Sequence, residues 1–249
     1  LRTFQSGALE LRSADLKRTE SRMLKIDTHA HYLPRDWPDL AAKYGDIRFP
    51  VIHHGDDGRA RIYKDGKFFR EIWPKTWDPQ IRIDDYAGFG VQVQVLSTVP
   101  VMFSEWAKPH QALDLHGALN AHMARTCRDY PRHYAGIGTV PLQSPQLAVR
   151  ELERCMDQLN LRGVQIGSHI NDWNLDAEEL RPFFEAAQDL GAAILVHPWD
   201  MLGTEEMPKY WMPWLVGMPA EQSRAACALI FGGVLEQFKL LVQLQQLVG

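Results

Sequence analysis

Cysteine is scarce and unpaired in this 249-residue sequence: Cys127, Cys155 and Cys227 are odd in number, far apart and without a C-x-x-C pair. That pattern excludes a disulfide framework and points to reduced thiols in a cytosolic protein. No apolar run approaches the ~20 residues that span a bilayer, and nothing near the start joins basic residues to the apolar core of a signal peptide. A basic excess is missing too. The 27 Lys and Arg stand against 31 Asp and Glu, for a net charge of −4 and a pI near 6.2. Neither nucleic acid nor an anionic membrane surface is therefore an expected partner. No G-x-G-x-x-G follows the first strand-like run and no P-loop is found, so the usual nucleotide-binding signatures are absent.

What remains is the balance of one sizeable soluble domain, 45% hydrophobic and 23% charged. The first 22 residues are polar and patternless, and they read as a disordered or non-native extension ahead of Met23. Beyond it, apolar strand-like runs alternate with helical stretches. The runs are "LKID" leading to His29 and His31, then 91 to 100, 134 to 141, 163 to 169 and 192 to 200; helices are expected over 109 to 129, 145 to 159 and 176 to 190. Near-continuous apolar strands separated by helices predict parallel strands covered on their faces. The fold class is α/β, of (β/α)8 TIM-barrel type, with about five βα units visible. Residues 35 to 85 interrupt the rhythm. There "RIYKDGKFFRE" turns about Asp65-Gly66, which predicts a β-hairpin inserted after the first strand and placed over the barrel mouth as a lid.

In "KIDTHAH", Asp27, His29 and His31 share parity, so a strand projects all three to one face. His197, in "ILVHPWD", ends the fifth run as the first pair ends its own. Residues at the C-terminal ends of parallel barrel strands converge on one mouth, so three imidazoles there are a candidate metal chelate. Zinc heads the candidates because nitrogen donors with one open position suit it, and manganese, iron and cobalt stand beside it. Asp27 is expected to orient the histidines rather than bind metal. His53, His54, His110, His116, His122, His133 and His169 lack convergent spacing and are read as non-ligands.

Seven strings, "KIDTHAH", "YKDGKFFR", "WDP", "LSTVPVMFSEWAKP", "GVQIGSH", "LVHPWDM" and "KYWMPWLVGMPAE", resemble the aminocarboxymuconate-semialdehyde decarboxylase family, in the metal-dependent decarboxylase branch of the amidohydrolase superfamily. The resemblance covers about residues 23 to 238. It implies a zinc-dependent, non-hydrolytic carboxy-lyase of tryptophan catabolism by the kynurenine route, homodimeric and cytosolic, with one zinc per subunit. Its substrate is a small dicarboxylate semialdehyde, drawn away from quinolinate and hence from NAD synthesis toward picolinate. By the same resemblance Arg70 clamps a substrate carboxylate, Lys64 assists it and Trp214 walls the pocket. The family's proton-transferring histidine, in an HGGG motif after the sixth strand, and its metal-binding aspartate after the eighth have no counterpart in "KLLVQLQQLVG" (239 to 249). No catalytic residue is therefore assigned, the tail reads as divergent, and the chain is expected to be a truncated, inactive form. A metal-dependent hydrolase and a non-catalytic short form that pairs with full-length subunits remain as alternatives.

Overall fold

The computed structural model describes residues 24–239 and the backbone of 241–244. The expectation for the first 22 residues lies outside the described residues. The chain opens with strand β1 (Ile26–His31) and then builds a separate antiparallel layer: helix α1 (Leu40–Tyr44) and strands β2 (Val51–His54), β3 (Ala60–Lys64) and β4 (Lys67–Ile72). Asp65 and Gly66 both have positive φ, 54° and 68°, as the expected tight hairpin turn requires. The hairpin is larger than its sequence suggests. β2 pairs antiparallel with β3 and makes a three-stranded meander.

Helix α2 (Pro79–Ala87) also lies within the stretch read as an insertion, yet it is the helix that returns the chain from the meander to β5 (Val93–Ser97). Asp78 caps it by accepting from the backbone N–H groups of Gln80 and Ile81 at 2.9 Å each, and Pro79 takes the first helical position, where its missing N–H costs nothing. The inserted layer therefore ends near Trp77.

From β5 the chain alternates as expected. Helix α3 (Pro109–Asp129) leads to β6 (Tyr134–Gly136) and β7 (Gly138–Thr139), α4 (Pro145–Glu153) to β8 (Gly163–Gly167), and α5 (Arg181–Asp189) to β11 (Ala193–His197). A short antiparallel pair, β9 (His169–Ile170) and β10 (Trp173–Asn174), follows β8; helices α6 (Met218–Phe231) and α7 (Val234–Gln237) follow β11. The stretch 134 to 141, expected as one strand, is two. Gly136 and Gly138 flank Ile137, and a side chain at either would strike α3 or its neighbours, Met123 at 2.8 Å for the first and Asn120 at 2.8 Å for the second. Glycine lets α3 approach closely here, and Asn120 donates to the Thr139 carbonyl and accepts from its N–H at 2.8 Å each.

The parallel strands run in the order β1-β5-β6, and β12-β11-β8-β7 continues the arc. Here β12 is Leu241–Leu244, in parallel register with Ala193–Val196. This corrects the expectation of five strands. The tail supplies a sixth parallel position, because β11 offers it a free edge, and Gly232-Gly233 breaks the helical run between α6 and α7 ahead of it.

Two apolar cores result. One joins the strands to the covering helices, with Leu96, Val164, Ile166, Ile194 and Val196 against Leu152, Phe183, Phe184 and Leu229. The other joins the meander to the loop after β5 and the first half of α3, through Phe49, Ile62, Ile72, Met102 and Leu115. The second core seats the meander over the C-terminal ends of the strands.

Candidate metal centre

His29 and His31 leave the end of β1 and His197 the end of β11, so the topology brings together residues 166 or more positions apart. Their ligand atoms all lie within 4.8 Å of one another. The Nε2 atoms of His29 and His31 are 3.1 Å apart, close to the ~3.3 Å separating two nitrogens bound at about 2.05 Å to a tetrahedral ion. His197 donates from Nδ1–H to the Pro198 carbonyl at 2.9 Å, which leaves its Nε2 lone pair free. That Nε2 is buried with no partner. Ser97 Oγ lies 3.2 Å from His31 Nδ1 and fixes the second ring.

Burial keeps all three imidazoles neutral. It lowers His29 against the opposing pull of Asp27, lowers His31 well below the usual range with help from His197 and His29, and lowers His197 to about 4. Neutral rings gathered this closely, one of them with a buried and unpartnered Nε2, fit a divalent cation.

Asp27 precedes the cluster on β1 and is tied to the backbone of His29. β1 carries an irregularity against β5, where the register passes from Asp27↔Gln94 to Ala30↔Leu96 with an extra residue on β1. Asp27 Oδ1 accepts from the His29 backbone N–H at 3.1 Å, satisfying a donor at the bulge, while Oδ2 accepts from Gln94 Nε2 at 2.8 Å. The chain of contacts ends in Arg82, buried on α2, which donates to Gln94 Oε1 at 2.8 Å, to the His31 carbonyl at 3.1 Å and to the Lys75 carbonyl at 2.8 Å. Neither Gln94 nor Arg82 carries a sequence signal. They matter through contacts that join helix α2 to strands β1 and β5.

Just past His197, Trp199 and Asp200 join Lys64, Phe69 and Trp214 among others in lining a cavity of about 460 Å³. Lys64 Nζ is 3.8 Å from Asp200 Oδ1 and 5.3 Å from the Trp199 ring centroid. Lys64 and Trp214 thus line the same cavity. Arg70 is not in the lining. Strand alternation turns Phe69 toward Trp199, with ring centroids 5.9 Å apart, and leaves Arg70 exposed with its guanidinium carbon 5.6 Å from the Phe69 ring centroid. Trp199 and Asp200, the residues that follow "HP", are site members that the sequence reading did not single out. Glu105, after β5, is another; burial first and the Asp200 charge second hold its carboxyl well above the usual carboxylate range.

The described non-ligand histidines serve other ends. His116 donates from Nε2–H to the Phe103 carbonyl at 2.8 Å, and His169 lies 3.1 Å from Glu221.

The sequence model of the amidohydrolase family, Amidohydro_2, matches residues 26–242. The chain belongs to the amidohydrolase family. Among its family relatives, 2-amino-3-carboxymuconate-6-semialdehyde decarboxylase of Dictyostelium discoideum is 49% identical over 216 residues, covering 87% of this chain and 60% of the relative. The Caenorhabditis elegans protein of the same name is 34% identical over 271 residues, 89% of this chain and 67% of the relative. The chain therefore spans about 60% of the length of the first of these amidohydrolases. A solved family structure, dihydroxybenzoic acid decarboxylase from Polaromonas with bound manganese and 2-nitroresorcinol, superposes with a TM-score of 0.66 at 21% identity over 88% of this chain and 64% of that one. At that identity the likeness establishes the α/β amidohydrolase fold.

Proposed function

We propose that this chain carries the metal-binding and substrate-holding part of a zinc-dependent, non-hydrolytic decarboxylase acting on 2-amino-3-carboxymuconate-6-semialdehyde. The observation that carries this reading is the convergence of three neutral imidazoles, one with a buried and unpartnered Nε2, in a chain 49% identical to a protein of that name. A divalent ion bound there supplies a Lewis acid and water of lowered pKa. The chain's own residues do the rest. His29, His31 and His197 hold the ion, Asp27 and Ser97 hold two of the histidines in place, and Lys64 offers a cation to a substrate carboxylate at the cavity wall. Trp199 and Trp214 supply flat apolar walls suited to a conjugated substrate. Zinc is the ion proposed because an all-nitrogen donor set suits it.

On this reading the decarboxylase to which these residues belong draws the semialdehyde away from quinolinate in the kynurenine route, in the cytosol and as a homodimer. Metal analysis and CO₂ release test it. One zinc per chain is expected in the purified protein, and CO₂ rather than a hydrolysed amide or ester is the expected product once the family's proton-transferring histidine and metal-binding aspartate are also supplied. A protein that takes up no divalent ion at its histidines overturns the proposal.

A further inference from the structure

Glu105 reaches the barrel mouth from the segment after β5, and its backbone is held in a costly bend. Ser104 has φ of 51°, the left-handed region that non-glycine residues avoid unless their surroundings enforce it. The enforcing contacts are present. The Ser104 carbonyl accepts from the Ala107 N–H at 3.0 Å and from Gln143 Nε2 at 3.2 Å, and the Glu105 carbonyl accepts from Asn171 Nδ2 at 3.0 Å.

The bend sends the carboxyl over Gly167. A Cβ added at Gly167 would lie 2.7 Å from Glu105 Oε1, so the carboxyl fills the space that a side chain at position 167 would take. Gly167 is the register partner of His197 across β8 and β11, and paired residues on neighbouring strands present their side chains on the same face. The carboxyl thus stands in the inward-facing row beside His197, whose Nε2 is buried and unpartnered. The half-buried Glu105 is not one of the mutually close donors, which are the three histidines. It reaches the mouth at Gly167, the neighbour of His197 on the next strand.

We propose that Glu105 is an acidic member of the metal site: it faces the ion's open side without binding the ion, and accepts a hydrogen bond from the ligand that takes that position. The inference rests on the metal reading above. Burial favours the protonated acid while the site is empty, and a divalent cation at the histidines reverses that preference. The resulting carboxylate favours the cation and disfavours an anion on the open side, each by about tenfold, the order set by one unit charge several ångströms away at an intermediate effective dielectric.

The test uses the full chain loaded with cobalt(II), whose visible absorption reports occupancy and ligand exchange, and azide as an anionic probe. Glu105→Gln, which keeps shape and removes charge, is expected to raise the cobalt dissociation constant about tenfold and to tighten azide about tenfold. Glu105→Asp, which keeps the charge and withdraws it by one methylene, is expected to fall between the two proteins, and it supplies the reading should the Gln variant fail to fold. A purely structural role for Glu105 predicts a lowered melting temperature of the metal-free variants with azide affinity unaltered, and that result overturns the proposal. Cobalt-binding wild type matched by both variants overturns the assignment of Glu105 alone. Wild type that takes no cobalt overturns the metal reading and this inference with it.

Discussion

Arg82→Met asks how much of the metal site's order comes from a residue that never touches it. The guanidinium is 4% exposed and donates three hydrogen bonds, to Gln94 Oε1, the His31 carbonyl and the Lys75 carbonyl. Methionine keeps much of the volume and removes every donor. Each buried acceptor left unpaired costs about 1–3 kcal/mol, whereas removing a buried guanidinium relieves part of its own desolvation penalty. The net expectation is a loss of about 3 kcal/mol in unfolding free energy, read by urea denaturation of metal-free protein at neutral pH. The effect should reach the chelate as well. Gln94 loses the partner that holds it against Asp27, and Asp27 holds the His29 N–H at the bulge of β1. Zinc affinity is therefore expected to fall about tenfold, because supporting partners of metal ligands carry effects of about 10 to 100-fold. Arg82→Lys should recover some stability but not the fork that spans Gln94 and two carbonyls. A loss under about 1 kcal/mol in Arg82→Met, with zinc affinity unchanged, would refute the reasoning and make the network an incidental set of contacts.

Four further outcomes are expected. His29→Ala, His31→Ala and His197→Ala should each remove most of the zinc, and stoichiometric zinc persisting in the double variant lacking His29 and His31 would refute the chelate. In an active preparation, Lys64→Ala and Arg70→Lys should each lower kcat/KM tenfold or more if both side chains meet substrate carboxylate; unchanged kinetics in Arg70→Lys would assign that exposed arginine to the surface. His116 is lowered to about 4 by burial, so it stays neutral in the folded protein while the unfolded chain protonates near 6.5: its contribution is fully present above pH 6.5 and is lost as pH falls toward 4, by about 3 kcal/mol. Urea titrations at pH 7 and pH 4.5 should show a smaller difference in His116→Gln than in wild type. Finally, Cys227 is exposed, while burial pushes the Cys127 thiol up to about 12 and Cys155 higher still, so one thiol should react rapidly with Ellman's reagent in native protein and three after denaturation.

The chelate was legible because its signals are local. Strand parity puts His29 and His31 on one face, and each arm of the site ends an apolar run. Helix α3 was legible for a similar reason, with Pro109 at its first turn and an apolar face sustained through Met123. The meander was half legible: the Asp65-Gly66 turn announces β3 and β4, but Val51–His54 is short, carries two histidines and gains its identity only by pairing with β3. Helix α2 was hidden by its place inside a stretch that breaks the βα rhythm, although Asp78-Pro79 is a helix-start signal. The tail was the hardest. "LVQL" suits helix or strand by composition, and β11 alone decides between them by offering an unpaired edge. Glu105, Gln94 and Arg82 illustrate the remaining limit, since a lone polar residue acquires meaning only from what folding sets beside it.

The division of the apolar interior has a kinetic consequence. The ligands belong to strands buried with α4, α5 and α6, whereas Lys64 and Phe69 belong to the meander, anchored on Phe49, Ile62 and the start of α3. Units with separate interiors open with separate free energies. The meander can lift from the mouth while the strands under it stay closed, opening the cavity at Lys64 and Phe69 without disturbing the three histidines. In native-state hydrogen exchange, the amides of β2, β3 and β4 should then share one lower opening energy, distinct from that of β8 and β11. Turnover limited by that opening would track viscosity and meander packing rather than the chemistry at the histidines.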